Sequence, residues 1–356
     1  MFDYLRRERD KIHQTSSTTA LKTGQVAPVE KRCPNCGAVF PLNYVTCEFD
    51  LTLLTLKKDM RPEFLPSIIA VRSDGTKWTL LPQGYFGSGS ICDVYEAFDT
   101  SSGEKFAVKA LMLKVMNDSK SEHKYLEGAK KSLSLQHENI VASFAVGSTQ
   151  NQKGKSSRPF TVCEILKGTQ LSRLLDKDNL PSIAETLTVA SHICGALEYA
   201  HGQGVIHGDL KPSNIFIEFG KDKDMAKVCD FAVAERLFQG LEWNQVTTMT
   251  GSIYGSAVYL APDYAESRTP TVASDIYSLG CIMYECMAGH PPFMGNNDFH
   301  TIMQHMKEAP KPLDGKYELN GVADIVRRAL EKEPGKRFQS AKEMGLAINA
   351  SLNQLR

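Results

Sequence analysis

The sequence predicts an α+β chain in which strands gather in the first part and long helices in the second, with a small cysteine-bearing β module ahead of both. Three observations carry this reading. Residues 33–50, CPNCGAVFPLNYVTCEFD, bring cysteines together at metal-ligand spacing. Residues 78–113 hold β-forming, alternating stretches around a glycine cluster. From residue 182 onward the apolar residues spread over helix-length segments such as SDIYSLGCIMYE.

Bulk composition narrows the function. The chain has 356 residues, 42% of them hydrophobic, enough for one large domain or two ordinary ones. Lys+Arg and Asp+Glu both number 41, so net charge favours neither nucleic acid nor a membrane surface. No apolar run approaches the ~18–20 residues that span a bilayer. The longest, Ile276–Met287, contains Glu285 and follows Asp275, and reads as a buried core helix. MFDYLRRERDK at the start lacks the apolar core of a secretory signal. Nine scattered cysteines, an odd number, argue against a disulfide framework. A cytoplasmic location is expected.

Residues 1–32, rich in Ser, Thr and Lys, read as a tail. In the module at 33–56, Cys33 and Cys36 form a C-x-x-C turn that lets two thiolates face one ion. Cys47 follows, and Asp50 stands where a fourth cysteine would complete a tetrahedral site. Zinc accepts thiolate or carboxylate, so Cys33, Cys36, Cys47 and Asp50 form a candidate zinc site. The segment resembles a zinc ribbon, with a structural or protein-docking role. Two alternatives stay open: a metal-free ribbon packed through Val39, Phe40, Tyr44 and Leu51, and a redox-active C-x-x-C. The module shows no concentrated basic and aromatic face, so nucleic acid is not expected as a partner. Residues 57–77 read as a linker.

In WTLLPQGYFGSGSICDVYEAF (78–98), a strand, a turn and a second strand enclose Gly87, Ser88 and Gly89. Glycines at such a tip let backbone N–H groups approach phosphate oxygens unobstructed. The next strand, EKFAVKALML, alternates and carries Lys109 behind Ala107 and Val108. A helix over about 120–135 follows, then the strand FTVCEIL and a long helix over about 182–202. After these comes HGDLKPSN (207–214), eight residues that bring together a His, an Asp, a Lys and an Asn. KVCDFAVAE then ends an apolar strand on Asp230.

Taken in order, these motifs resemble eukaryotic-type (Hanks-type) serine/threonine protein kinases over about Trp78–Leu352. The matching elements are FGSGSICDV for the glycine loop, AVK for the third strand, HGDLKPSN for the catalytic loop, DFA for D-F-G, APD for A-P-E, and EKEPGKRFQSA for the final arginine segment. The pairing of these motifs with a ribbon resembles bacterial members of the family more than animal ones. The resemblance implies a bilobal kinase fold, β-rich in the small lobe and α-rich in the large one, with a domain at 78–352. It implies ATP and Mg²⁺, protein substrates bearing Ser or Thr, and autophosphorylation at Thr247, Thr248, Thr250 or Ser252. A homodimer through the small lobe or the ribbon stays open.

The resemblance also implies roles, residue by residue. Lys109 would hold the α- and β-phosphates; Asp209 would accept or orient the proton of the attacking hydroxyl; Lys211 would neutralise the transferring phosphoryl group. Asn214 and Asp230 would bind Mg²⁺. Val94, Ala107 and Phe216 would enclose adenine, whose edge would meet backbone groups of Glu164–Leu166, behind Cys163. The helix carboxylate that should face Lys109 falls by count on Gly128, which leaves Glu127 one place earlier, with Glu122 as the alternative. One residue turns a helical side chain by about 100°.

The departures from the family pattern are Cys92 in the glycine loop, Gly208 where many members have Arg, Ala232 for the D-F-G glycine, and Asp263 for the A-P-E glutamate. Asp263, one methylene shorter, is expected to pair still with Arg337. An active kinase is the favoured reading, because every group that touches phosphate, metal or nucleophile is intact. A pseudokinase scaffold, binding nucleotide or a partner without catalysis, is the alternative.

Overall fold

The computed structural model describes residues 6–7, 31–32, 39–40, 55–56, 68–72, 74–89, 91–112, 115, 119–149, 158–175, 180–220, 224–232, 257–318 and 321–355. The chain divides into two compact units, one of residues 11–133 and 142–165, the other of 1–10, 134–141 and 166–356. Cys33, Cys36, Cys47, Asp50 and the candidate phosphorylation sites at 247–252 lie outside the described residues. The strands flanking the C-x-x-C segment pair: β1 (Lys31–Arg32) runs antiparallel to β2 (Val39–Phe40) and to β3 (Thr55–Leu56).

The first unit is built on a closed barrel in the order β4-β5-β6-β7-β9-β8. Its strands are β4 (Ile68–Arg72), β5 (Lys77–Ser88), β6 (Cys92–Asp99), β7 (Lys105–Leu111), β8 (Ser143–Ser148) and β9 (Pro159–Cys163). Strict alternation along β6 sends Tyr95 and Ala97 inward, where Val108 and Val162 meet them across the ladder. Trp78 packs edge-on against Phe106, ring centroids 4.4 Å apart, and Arg72 lies over the indole at 4.3 Å. Burying each large apolar side chain contributes about 1.5–3 kcal/mol, so this interior sets the barrel's shape.

The strand β4 corrects the expected linker at 57–77. Residues 68–72 alternate as IIAVR, pair with β5, and also pair with β8 through Val71↔Val146 and Arg72↔Ala145. Ile68 and Ala70 turn inward while Ile69 and Val71 face out. A five-residue strand is a weak signal in isolation. Its formation follows from the unsatisfied backbone groups that two open sheet edges would otherwise present.

The second unit is helical around a small sheet of β10 (Gly168–Gln170), β11 (Ile215–Phe219) and β12 (Asp224–Val228). α2 (Ile183–Gly202) starts at a capping box in which Ser182 and Glu185 exchange side-chain and backbone hydrogen bonds. α4 (Val272–Ala288) starts at the same device, built from Thr271 and Ser274. Gly280 on α4 lets α6 (Val322–Ala329) come close, since a Cβ there would lie 2.8 Å from that of Ala329. α3 (Pro262–Ser267), α5 (Asp298–Lys307) and α7 (Ala341–Gln354) complete the unit. Among the described residues, no helix is long and apolar enough to cross a membrane.

The pairing of Asp263 with Arg337 is present. Arg337 has no exposed surface; its Nη2 lies 2.8 Å from Asp263 Oδ1. The guanidinium also donates to the carbonyls of Ala273, Glu331 and Lys332. A buried guanidinium is tolerable because its donors are occupied in this way.

Candidate active site

The loop HGDLKPSN joins α2 to β11 and is held from below by one carboxylate. Asp275, buried in the first turn of α4, accepts from the backbone N–H of His207 (2.9 Å) and of Gly208 (3.0 Å), and from His201 Nε2 (2.8 Å). Burial alone would raise its pKa, but the hydrogen bond and charge of His201, with help from Gly208, bring it below the usual carboxylate range. Gly208 adopts φ +72°, a left-handed conformation that allows its N–H to reach Asp275 beside that of His207. A side chain there would strain the backbone, which explains a glycine after the histidine.

His207 is fully buried, and its hydrogen bonds define its tautomer. Nδ1 accepts from the N–H of Asp209 at 3.1 Å, so Nε2 carries the proton and donates to the carbonyl of Cys229 at 2.9 Å. Burial lowers its pKa, against the charges of Asp275, Asp209 and Asp230, and the ring stays neutral. The imidazole thereby ties the catalytic loop to the residue before Asp230, and it packs on Phe231 with centroids 4.7 Å apart.

Three predicted residues converge on this loop. Lys211 Nζ lies 2.9 Å from Asp209 Oδ2. Asn214 Nδ2 donates to the Asp209 carbonyl at 2.8 Å and to Oδ2 at 3.3 Å. Asp209 Oδ1 is buried and has no hydrogen-bond partner among the described residues. One carboxylate oxygen is thus fixed by a cation and an amide while the other is a buried acceptor without a donor. That is the arrangement required to receive a hydroxyl proton.

Asp230 stands close by through the backbone: the N–H of Cys229 donates to the carbonyl of Asn214 at 2.9 Å. Both Asp230 (φ +66°) and Ala232 (φ +58°) are left-handed. Ala232 is fully buried, so the residue at the D-F-G glycine position keeps the glycine conformation at the expense of strain. Phe216 sits half-buried on β11 opposite Lys227 and Gln170, and Leu166 is half-buried just ahead of β10.

In the barrel unit the predicted residues share one sheet face. Val94 stands opposite Lys109, and Ala107 opposite Cys163; Ala107 and Lys109 are two apart on one strand. Gly87 and Ser88 end β5, and the hairpin tip closes through Gly89 N–H to the Cys92 carbonyl at 2.7 Å. Glu164 spends its own N–H on the carbonyl of Ala142, and its carboxylate accepts from the Ala142 N–H.

The role expected for Glu127 does not hold in this structure. On α1 (Ser119–Ser132) the buried face carries Tyr125, Gly128 and Ala129. Glu127 is half-exposed, its carboxylate 3.7 Å from His123, one turn earlier. Rotation by one residue takes the carboxylate off the strand-facing side. Glu122 accepts from Ser148 Oγ at 2.5 Å. The face toward Lys109 instead presents Tyr125, whose hydroxyl donates to the Lys109 carbonyl at 3.0 Å and meets Thr161 Oγ1 at 3.1 Å.

Motif reading assigns no role to Asp275, Tyr125, Asp93 or Arg158. Asp275 did carry a signal, as a lone carboxylate opening an apolar helix. The other three acquire their partners only through strand register and helix rotation.

Comparison with known proteins agrees with this geometry. The protein kinase domain family matches residues 82–345. The probable serine/threonine-protein kinase PknB of Corynebacterium glutamicum is 34% identical over 265 residues, covering 72% of this chain and 40% of the relative. The serine/threonine-protein kinase PknB of Mycobacterium tuberculosis is 32% identical over 260 residues, with the same coverage of each chain. The chain therefore spans about 40% of the length of these curated relatives. The fold is similar to that of the PknI kinase domain of Mycobacterium tuberculosis, with a TM-score of 0.59 at 19% identity, over 77% of this chain and 95% of that one. The chain belongs to the protein kinase domain family, and the two relatives named above are bacterial serine/threonine-protein kinases by name.

Proposed function

We propose that this member of the protein kinase family transfers the γ-phosphoryl group of ATP to serine or threonine hydroxyls of proteins, its own chain included. The observation that carries the reading is the divided carboxylate of Asp209, with Oδ2 held by Lys211 and Asn214 and Oδ1 buried without a donor. An incoming hydroxyl would donate to Oδ1, which orients the oxygen toward phosphorus. As the new O–P bond forms and the bond to the β-phosphate oxygen breaks, Asp209 takes the proton and ADP departs. Lys211, anchored on the same carboxylate, would sit beside the transferring group and offset its charge. Lys109 would hold the other phosphates.

Family membership implies Mg²⁺ with ATP, and the donor set fits it. Among the described residues no group of three or more His, Cys, Asp or Glu could hold a metal by itself. Mg²⁺ binds through one or two protein oxygens completed by phosphate oxygens; Asn214 and Asp230 would supply the protein share. The ion would neutralise charge on the β- and γ-phosphates when bound. An ATP-dependent reaction and free cysteines support a cytoplasmic setting.

The test is phosphate incorporation from labelled ATP with Mg²⁺, beside Asp209→Asn and Lys109→Met. Asp209→Asn is expected to lower the rate by about 10²–10⁴-fold. A parent stabilised by nucleotide but incorporating no phosphate would favour the pseudokinase scaffold instead. For the N-terminal module, the spacing of Cys33, Cys36, Cys47 and Asp50 supports one structural zinc per chain. Metal analysis of the parent against Cys33→Ser is the check, and a metal-free parent would rule it out.

A further inference from the structure

The glycine hairpin is joined to the strand of Lys109 by a buried ion pair. Asp93, two residues after Ile91 at the tip, is 8% exposed, and Arg158, the residue just before β9, is 5% exposed. Arg158 Nη2 lies 2.7 Å from Asp93 Oδ2. The same guanidinium donates through Nε to the carbonyl of Leu111 at 2.9 Å and through Nη2 to that of Ala110 at 3.4 Å. Those two residues directly follow Lys109 on β7. The other oxygen of Asp93 accepts from Ser88 Oγ at 2.6 Å, and Ser88 shares a 2.5 Å hydrogen bond with the Tyr85 hydroxyl. Ser88 lies between Gly87 and Gly89.

We propose that Asp93 and Arg158 are positioning residues that hold the phosphate-facing glycine hairpin in register with Lys109, with Ser88 as the point of attachment. Glycines at such a tip make close approach to phosphate possible but leave the backbone free to move. A hairpin already held in place loses less entropy on binding nucleotide, so the tether acts on affinity. Backbone geometry cooperates: Met112 N–H donates to the Ile91 carbonyl at 2.8 Å, a second link between tip and β7. Cys92, standing where the family has a third glycine, stiffens the same turn. The tether acts on the hairpin and on the strand of Lys109, so it is assigned to binding and not to the chemical step.

The inference rests on nucleotide binding as proposed above, and its test separates the two. The pair is replaced as a whole, Asp93→Leu with Arg158→Met, because apolar residues of similar volume keep a buried site stable where one unpaired charge would not. Ser88→Ala cuts the attachment and leaves the ion pair intact. In the nucleotide-free full chain, amide exchange over 84–92 should speed up at least tenfold in both variants. Binding of Mg-ADP should weaken about five- to tenfold in both, with no further loss when they are combined, since they break one link. In the double replacement, with the parent as reference, KM for ATP should rise while kcat stays within twofold. Unchanged hairpin exchange and Mg-ADP affinity in Ser88→Ala would overturn the proposal, whether or not the double replacement folds. So would multiplicative effects in the combined variant, which would make Ser88 a direct nucleotide contact. A parent that binds Mg-ADP but transfers no phosphate would defeat the kinase reading and leave this one standing.

Discussion

Each unit of the protein positions its chemistry with a buried aspartate, and the two are compensated differently. In the barrel, Asp93 is met by a guanidinium, and the pair ties two strands together. In the helical unit, Asp275 is met by two backbone N–H groups and an imidazole, and it holds the catalytic loop directly. An ion pair is a removable unit, because deleting both partners leaves no uncompensated charge. Asp275 cannot be deleted together with all its partners: His201 can be replaced, but the N–H groups of His207 and Gly208 stay in the chain. The barrel anchor is therefore open to wholesale replacement, whereas the loop anchor is not.

The largest expected effect breaks this comparison most directly. Asp275→Ala strands two buried N–H donors and should destabilise the fold by about 3–5 kcal/mol, read from urea denaturation with loss of any phosphotransfer. Asp93→Ala alone should cost about as much, while the combined Asp93→Leu/Arg158→Met replacement should come within about 1 kcal/mol of the parent. Equal damage from the double replacement and from Asp275→Ala would erase the distinction.

A second contrast runs along one helix. Ten residues after Asp275, Glu285 is partly buried on α4, and burial pushes its pKa up to about 7, against the 2.6 Å hydrogen bond from the Tyr259 hydroxyl. Its folded value lies above the unfolded one. Its contribution is therefore fully present below about pH 4.5 and lost as pH rises through about 7. Asp275 has the opposite sign: its folded pKa is lowered, so its contribution is present above the unfolded carboxylate range and fades as pH falls. Glu285→Gln should remove a decline in stability between about pH 4.5 and 7 that the parent shows, the span set by the two Glu285 values. A parent and variant with parallel pH–stability curves would show that Glu285 does not titrate in this range.

Smaller effects concern the left-handed residues. Gly208→Ala places a Cβ at φ +72° and should cost about 1–2 kcal/mol. Ala232→Gly relieves the strain at φ +58° and should stabilise by up to about 1 kcal/mol, net of added freedom in the unfolded chain. Thermal unfolding measures both; a destabilising Ala232→Gly would mean that burial of the methyl outweighs the strain.

Much of the catalytic loop was legible in the sequence. Asp209, Lys211 and Asn214 fall within six residues, so local chain geometry brings them together. The small-lobe face was legible as separate strands, because Val94, Ala107, Lys109 and Cys163 follow from alternation once register is known. Glu127 was misplaced because a count along a helix is sensitive to a single residue, and the structure puts Gly128 and Tyr125 on the inner face. The strand at 68–72 was hidden in an apparent linker, since five residues show too little pattern to separate strand from extended coil.

The sequence by itself determined the chemistry: which residue types stand within reach of one another along the chain, and in what order. Only the tertiary structure decided what holds them. Asp275 lies 66 residues beyond Asp209, Arg158 lies 65 beyond Asp93, and β4 closes a barrel by pairing with a strand more than 70 residues away. Partners at such separations are selected by burial, which makes an unpaired charge or backbone group costly and so dictates where each must end.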